Sequence, residues 1–406
     1  MSVRRRTLLA GGGGSFRFPS VFSLGQTGFW QPISDRRAWQ HNGKTYITWI
    51  EDPSGDEGVA AYTHATRTMG SKFTLHAALE ADLHASGSVI VADNGKILCH
   101  YVEHHGDRIR RRVSTNPEDV SAFGSEALIG ALSDTTYATN FQLNGVTDSP
   151  IYLFYRVTDG THSYLVYKTT TDYGVSYTPA TPTTIWEIAG KHVYWRIGSN
   201  HNARIDVTAT DTDRSVGDPS SLYHFYLDAA AGTWHKSDGT TVTLPLDTTE
   251  ATLIKSAADG PIQPEGISYD ASGNPVAIMS VYDSVGVTNA VVQARWTGSA
   301  WSLVEIADTN GIVATNRFIG SACVNHENPD VVFLPRNVSG RSEMFRYVSP
   351  DDGASWVGTQ LTVGSAADHA MPEVPDHATS GLQAIWGYGT YVADDNFAMT
   401  IYGYGA

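Results

Sequence analysis

The sequence predicts an all-β chain folded as a seven-bladed β-propeller built mostly of four-stranded antiparallel blades. Three observations predict it. Helical periodicity is almost absent, and even "SKFTLHAALEADLHA" is too short and too interrupted by small and polar residues to exceed one or two turns. Strand-like segments recur in similar groups: a short strand, a turn rich in Asn, Asp and Gly, an aromatic and Val-rich strand, then one or two outer strands ending in an aromatic. Two groups also carry an Asp-box pattern, with Thr170, Asp172, Gly174 and Tyr177 in one and Ser349, Asp351, Gly353 and Trp356 in the other.

In chain order, the first unit joins "RRAWQHNGKTYITWI" to "VAAYTHATR". The second is the hairpin "DLHASGSVIVADNGKILCHYVEHHGD" followed by "IRRRVST". The third runs from "ATNFQLNGVTDSPIYLFYRV" to "SYLVYKTTTDYGVSY", and the fourth from "HVYWRIGSNHNARIDVTAT" to "SLYHFYLDAAAGTWH". "EGISYDASGNPVAIMSVY" with "VVQARWTGSAWSLVEI" makes the fifth, and "RFIGSACVNHENPDVVFLP" with "EMFRYVSPDDGASW" the sixth. "PEVPDHATSGLQAIWGYG" with "NFAMTIYGYG" completes the set. A period of roughly 45 to 60 residues fits radial repetition, whereas a sandwich would show fewer, longer-range pairings. In the Asp boxes the Asp accepts backbone donors, the Gly supplies positive φ and the aromatic packs between sheets, so these residues are expected to be structural. Residues 28–406 are expected to form a single propeller domain, preceded by a flexible basic leader at 1–27.

Composition narrows the function. The chain has 406 residues and a net charge of −15, which argues against a nucleic-acid partner because phosphate binding needs a basic surface. An anionic polysaccharide stays compatible, since a few local arginines can hold individual carboxylates. No apolar run approaches about 18 residues, so no membrane span is expected. Cys99 and Cys323 are far apart and are expected to be buried and reduced. The start "MSVRRRTLLAGGGGSF" pairs arginines with a short apolar run, and a secreted or periplasmic location is expected, with a phage or cell-surface particle as the alternative.

The second unit carries the sharpest functional signal. Its hairpin turns at Asp93-Asn94-Gly95 and has His84 at one open end and His104 and His105 at the other. If the turn counts as three residues, His84 lies across from His104; a loop of two or four residues sets it opposite His105. In a propeller the inner strands run along the central channel, so residues near their starts converge at one mouth. Candidate groups at those starts are Asn140 and Gln142, Tyr194 and Arg196, Gln263 and Glu265, Asn316 and Arg317, His369 and Glu373, and Arg36 and Arg37. Arginine can grip a carboxylate while tyrosine and histidine exchange protons, which suits a carbohydrate bearing a carboxylate.

The segments "FWQPISDRRAWQHNGKTYITWI", "DLHASGSVIVADNGKILCHYVEHH", "SPIYLFYR" with its Asp box, and "SNHNARIDVTATDTDRSVGDPSSLYHFYLDAAAGTWHKSDGTTV" resemble the BNR-repeat propeller family that includes ulvan lyases and related uronate-specific polysaccharide lyases. The resemblance spans residues 28 to 403, and its most specific parts are the histidine spacing of twenty and "SLYHFY…KSDGT". It implies β-elimination at a uronic acid: an arginine neutralises the carboxylate, a base removes the C5 proton and an acid protonates O4. Carried over, His84 and His104 match the family histidines and Tyr223 matches a family tyrosine. Tyr194 with Arg196 is the first choice for the remaining pair, and Tyr155 with Arg156 the second. Asn140, Gln142, Arg317, His105 and Tyr155 are expected to help bind substrate. A monomer is expected, with an acidic polysaccharide as partner and no cofactor.

The chain departs from the pattern in one respect. Some family members hold a structural zinc through His and Cys in central blades, but neither cysteine here falls in the fourth or fifth unit. His201, Asp211, Asp213 and His224 form a conceivable substitute, yet are expected to be ordinary loop residues, so no metal is expected. Two alternative functions stand beside the lyase. A sialidase-like hydrolase would use Arg17 of "FRFPS" with Arg196 and Arg317 as an arginine triad, and Asp52 or Asp56 as acid. A non-catalytic glycan-binding propeller would need none of the proton chemistry.

Overall fold

The computed structural model describes residues 20–31, 37–130, 134–143, 149–200, 202–212, 220–282, 287–313 and 321–405. These form seven separate antiparallel sheets, five of four strands, one of five and one of six, with no α-helix among the described residues. Each sheet is one blade of the propeller. The innermost strands, in order, are Ala38–His41, Ser88–Val91, Thr135–Gln142, Trp195–Ser199, Ile262–Tyr269, Cys323–Asn325 and Asp368–Glu373.

Position in the blade explains the sequence pattern. An inner strand is covered on both faces by neighbouring blades, so it loses the in–out alternation of a half-exposed strand. Thr135–Gln142 is accordingly buried at every residue, polar ones included, whereas the outer Thr178–Trp186 is exposed over its first half. Large aromatics fill the wedges between blades: Trp30, Trp49, Trp186, Trp195 and Trp386 are fully buried, and Trp186 stacks on Phe225 at 5.5 Å. Each such side chain contributes on the order of 2–3 kcal/mol by leaving water.

The two Asp boxes have the structural role expected of them. Asp172 accepts the Ser176 backbone N–H at 2.9 Å and its hydroxyl at 2.6 Å, and Asp351 does the same for Ser355 at 2.7 and 2.6 Å. The Tyr177 hydroxyl reaches into the second blade to His100 Nε2 at 2.5 Å. Both cysteines are buried, and no disulfide joins them.

The ring closes through residues that the sequence reading assigned to the leader. Ser20–Thr27 is the outermost strand of the seventh blade, paired antiparallel with Asn396–Gly405 from Ser20↔Gly405 onward. Polar alternation over "SVFSLGQT" hides this strand, because a blade's outer edge faces solvent and needs few apolar residues.

Candidate active site at one end of the ring

The hairpin of the second blade pairs Ser88 with His100 and Val91 with Ile97. Ala92 donates to Lys96 O at 2.9 Å, so the Asp93-Asn94-Gly95 loop counts as three residues. That register sets His84 opposite His104, as the three-residue reading predicts. Neither lies in a strand, however. His84 sits in a single 3-10 turn, Leu83–Ala85, just before the inner strand, and His104 in the turn just after Ile97–Tyr101. Freed from the pleat, the two imidazoles stack face to face with centroids 3.9 Å apart and planes within 6°.

One carboxylate holds both rings. Asp82 caps the 3-10 turn, accepting from the His84 backbone N–H at 2.8 Å and from His84 Nδ1 at 2.6 Å through Oδ1, and from His104 Nδ1 at 3.2 Å through Oδ2. Burial opposes its ionisation, but the hydrogen bonds from His104 and His84 outweigh burial and hold the Asp82 carboxyl far below the usual range. Burial also lowers the His84 pKa, against the pull of Asp82. With both Nδ1–H groups donated to Asp82, the Nε2 atoms carry the lone pairs.

The turn is fixed from several sides. Leu83 N donates to Asp394 O at 2.8 Å, Ser86 Oγ donates to Leu83 O at 2.7 Å, and the buried Arg37 donates to Ser86 O at 2.7 Å. Glu57 accepts from Gly87 N at 3.0 Å. Gln31 donates to Asp394 at 2.8 Å and lies 3.5 Å from His84 Nε2. Glu80 accepts from the His104 backbone at 2.6 Å.

Facing the histidines across a cavity of about 180 Å³ are Arg156, Thr158, His192 and Tyr194, with His105 at the edge. Arg156 is on the second strand of the third blade, opposite Thr136 of the inner strand, and is only 5 % exposed. Its guanidinium lies 4.5 Å from the ring centre of Tyr137 and 5.5 Å from that of Tyr194. Tyr137 packs behind these groups, its ring 5.6 Å from that of His84. It is fully buried at φ +63 where the inner strand bulges, its hydroxyl has no hydrogen-bond partner, and burial pushes the phenol well above its ordinary pKa. A non-glycine residue at that φ stores on the order of 1–2 kcal/mol of strain. His105, also at positive φ, pairs with Asp134. A larger hollow of about 360 Å³ at the opposite end, lined by residues such as Trp39, Asn42, Asp93 and His377, has no Arg or Lys among its described lining residues.

Residues 44–309 match the family model for BNR repeat-containing family members. The chain belongs to the BNR repeat-containing family. No curated protein sequence matches it significantly. In three dimensions this BNR propeller is similar to a PL25 ulvan lyase bound to -[GlcA(1-4)Rha3S]-, with a TM-score of 0.75, 17% identity and coverage of 94% of this chain and 95% of that one. It is also similar to polysaccharide lyase Uly1, with a TM-score of 0.62, 12% identity and coverage of 94% and 93%. At these identities the likeness establishes the fold.

Of the residues singled out in the sequence, the BNR propeller gathers His84, His104, His105 and Tyr194 around one cavity. Arg196, the first-choice arginine, is not among its lining. It is fully buried, with Nη2 3.9 Å from Glu265, because it lies inside the inner strand while Tyr194 precedes it. Arg156, the second choice, takes the position facing the histidines. Its neighbour Tyr155 points the other way, into the core with Val102 and Leu153. Tyr223 packs against Trp186 and donates to Asp211 at 3.2 Å, outside the cavity. Asn140 and Gln142 are at the far end of their strand: Asn140 donates to Leu98 O at 2.9 Å, and Gln142 accepts from Asp93 N at 3.0 Å. Arg317, Asn316, Arg36, Arg17, His201 and Asp213 lie outside the described residues. His224 is no loop residue; it is buried in a strand, bonded to Asp206 and Ser237 at 2.8 Å each. Sequence reasoning missed Asp82, Tyr137 and His192. The "DLH" triplet is the one signal for Asp82, as an N-cap beside a histidine.

Proposed function

We propose that this protein is a polysaccharide lyase that cleaves a uronate-containing acidic polysaccharide by β-elimination. The observation that carries this reading is the opposition, across one open cavity, of a carboxylate-bridged histidine pair and a guanidinium flanked by a tyrosine. The fold shared with polysaccharide lyases supports it.

Each group has a distinct task. Arg156 pairs with the C6 carboxylate, which withdraws charge from C5 and makes its proton more acidic. His84, with Nδ1–H given to Asp82, presents the Nε2 lone pair that takes the C5 proton. The C5–H electron pair becomes the C4–C5 double bond as the C4–O4 bond breaks. Tyr194 gives its phenolic proton to O4, and His104, stacked on His84, shares the positive charge that develops on the pair. His105 and His192 line the approach.

The test is incubation with ulvan, glucuronan, alginate, pectin and heparinoid chains while following the ultraviolet absorbance of the unsaturated product. A rise with at least one chain supports elimination. New reducing ends without that absorbance would overturn it in favour of hydrolysis.

A further inference from the structure

We propose that Asp82, His84 and His104 form a chelating site for a Zn²⁺-class cation, and that the cation inhibits the protein reversibly by occupying the proton-transfer pair. The inhibition rests on the lyase reading; the binding does not.

The geometry is that of three ligands drawn together. One donor atom from each residue lies within 4.8 Å of the others. Tetrahedral zinc with bonds of about 2.1 Å sets its ligand atoms about 3.4 Å apart. Here the Asp82 oxygens stand 2.6 and 3.2 Å from the two Nδ1 atoms, and the rings are 3.9 Å apart. To admit the ion the carboxylate must withdraw and at least one imidazole must turn out of the stack, because ring lone pairs point in-plane and the two planes lie within 6° of parallel. Two imidazoles and one carboxylate form a borderline nitrogen and oxygen set, suited to Zn²⁺ and poorly suited to Ca²⁺ or Mg²⁺. A water would complete the four-coordinate set.

One dication satisfies the carboxylate and both ring nitrogens together. A metal at His84 Nδ1 moves the ring proton to Nε2, which then needs an acceptor. Gln31 lies 3.5 Å from that atom, and its own Oε1 is buried and makes no hydrogen bond. A half-turn of the Gln31 amide brings that oxygen to the proton at the cost of the hydrogen bond from Gln31 to Asp394.

The experiment uses the untagged full chain and Zn²⁺ alone, with binding read by calorimetry and by competition with a chromogenic chelator. One Zn²⁺ per chain, raising Tm, is expected, with no comparable response to Ca²⁺ or Mg²⁺. Asp82→Asn and His104→Gln, each checked for cooperative unfolding, should weaken binding by more than the about 10- to 100-fold typical of outer-shell changes. His105→Gln should leave it intact, because His105 pairs with Asp134 instead. Saturating Zn²⁺ should slow product formation by about 100-fold or more, the scale of lost acid–base catalysis, and a chelator should restore it. Absence of binding, or binding unchanged in both variants, would overturn the proposal. Binding without cleavage of any polysaccharide sinks only the lyase reading, and cleavage without binding sinks only the metal site.

Discussion

Replacing Arg156 by alanine tests the assignment of the carboxylate-binding group. The guanidinium is only 5 % exposed and approaches the faces of Tyr137 and Tyr194 at 4.5 and 5.5 Å, so a bound uronate would meet it in a largely dry environment. Truncating one partner of such a desolvated charge pair costs about 2–5 kcal/mol. At about 1.4 kcal/mol per tenfold, kcat/KM should fall by about 30-fold to several thousand-fold. The assay is the initial rate of unsaturated uronate formation, run beside a methyl-esterified form of the same chain. The variant should lose its preference for the free acid, and Arg156→Lys should recover part of it, since a point charge replaces a fork. Arg196→Met provides the contrast. Arg196 is fully buried beside Glu265, so breaking that pair should lower Tm while leaving kcat/KM of the folded protein near wild type. An Arg156→Ala protein within about threefold of wild type in kcat/KM would refute the assignment.

Three other outcomes are expected. Tyr194→Phe should reduce the rate by about 100-fold or more, while Tyr155→Phe, in the core on the opposite face, should leave kcat/KM unchanged; equal losses in both would contradict the placement. Burial lowers the His100 pKa to about 3 from an ordinary 6.5, so the unfolded chain binds the extra proton first and stability falls as pH drops below 6.5. Near pH 5 this amounts to about 2 kcal/mol, and His100→Gln should flatten the difference in unfolding free energy between pH 7 and pH 5 by about that much in denaturant titrations. Gly353→Ala should cost more in Tm than Gly190→Ala: both have positive φ, but a Cβ at Gly353 would lie 2.0 Å from Gln293 Oε1, and one at Gly190 meets nothing. Equal shifts would show that the Asp-box turn tolerates the crowding.

The fold was legible because blades repeat, and repetition reveals itself in turns and aromatics even when single strands are ambiguous. The histidine pair was legible for a narrower reason. A three-residue Asp-Asn-Gly loop fixes parity, and parity sets His84 opposite His104. Arg196 is the more legible arginine because it lies near the start of an inner strand, whereas the same end of the ring also receives the ends of second strands, where Arg156 faces Thr136. Asn140 and Gln142 failed for the converse reason: they belong to an inner strand but lie toward its far end. Tyr137 could not be read from pattern at all. Its orientation depends on a bulge at a tyrosine with φ +63, and nothing in the local sequence demands that geometry. The closing strand was missed because residues distant by nearly the whole chain must meet before its pairing exists.

That closing strand acts as a clasp with a lever attached. Ser20–Thr27 fastens Asn396–Gly405, and the hairpin ending there carries Asp394, whose backbone holds Leu83 beside the first histidine and whose carboxylate holds Gln31. Tension at the molecule's topological seam therefore runs directly to His84 without crossing the intervening blades. A circular permutant that keeps residues 20–27 attached through Gly405 should preserve the imidazole stack, while proteolytic loss of those eight residues should loosen it before the ring itself opens.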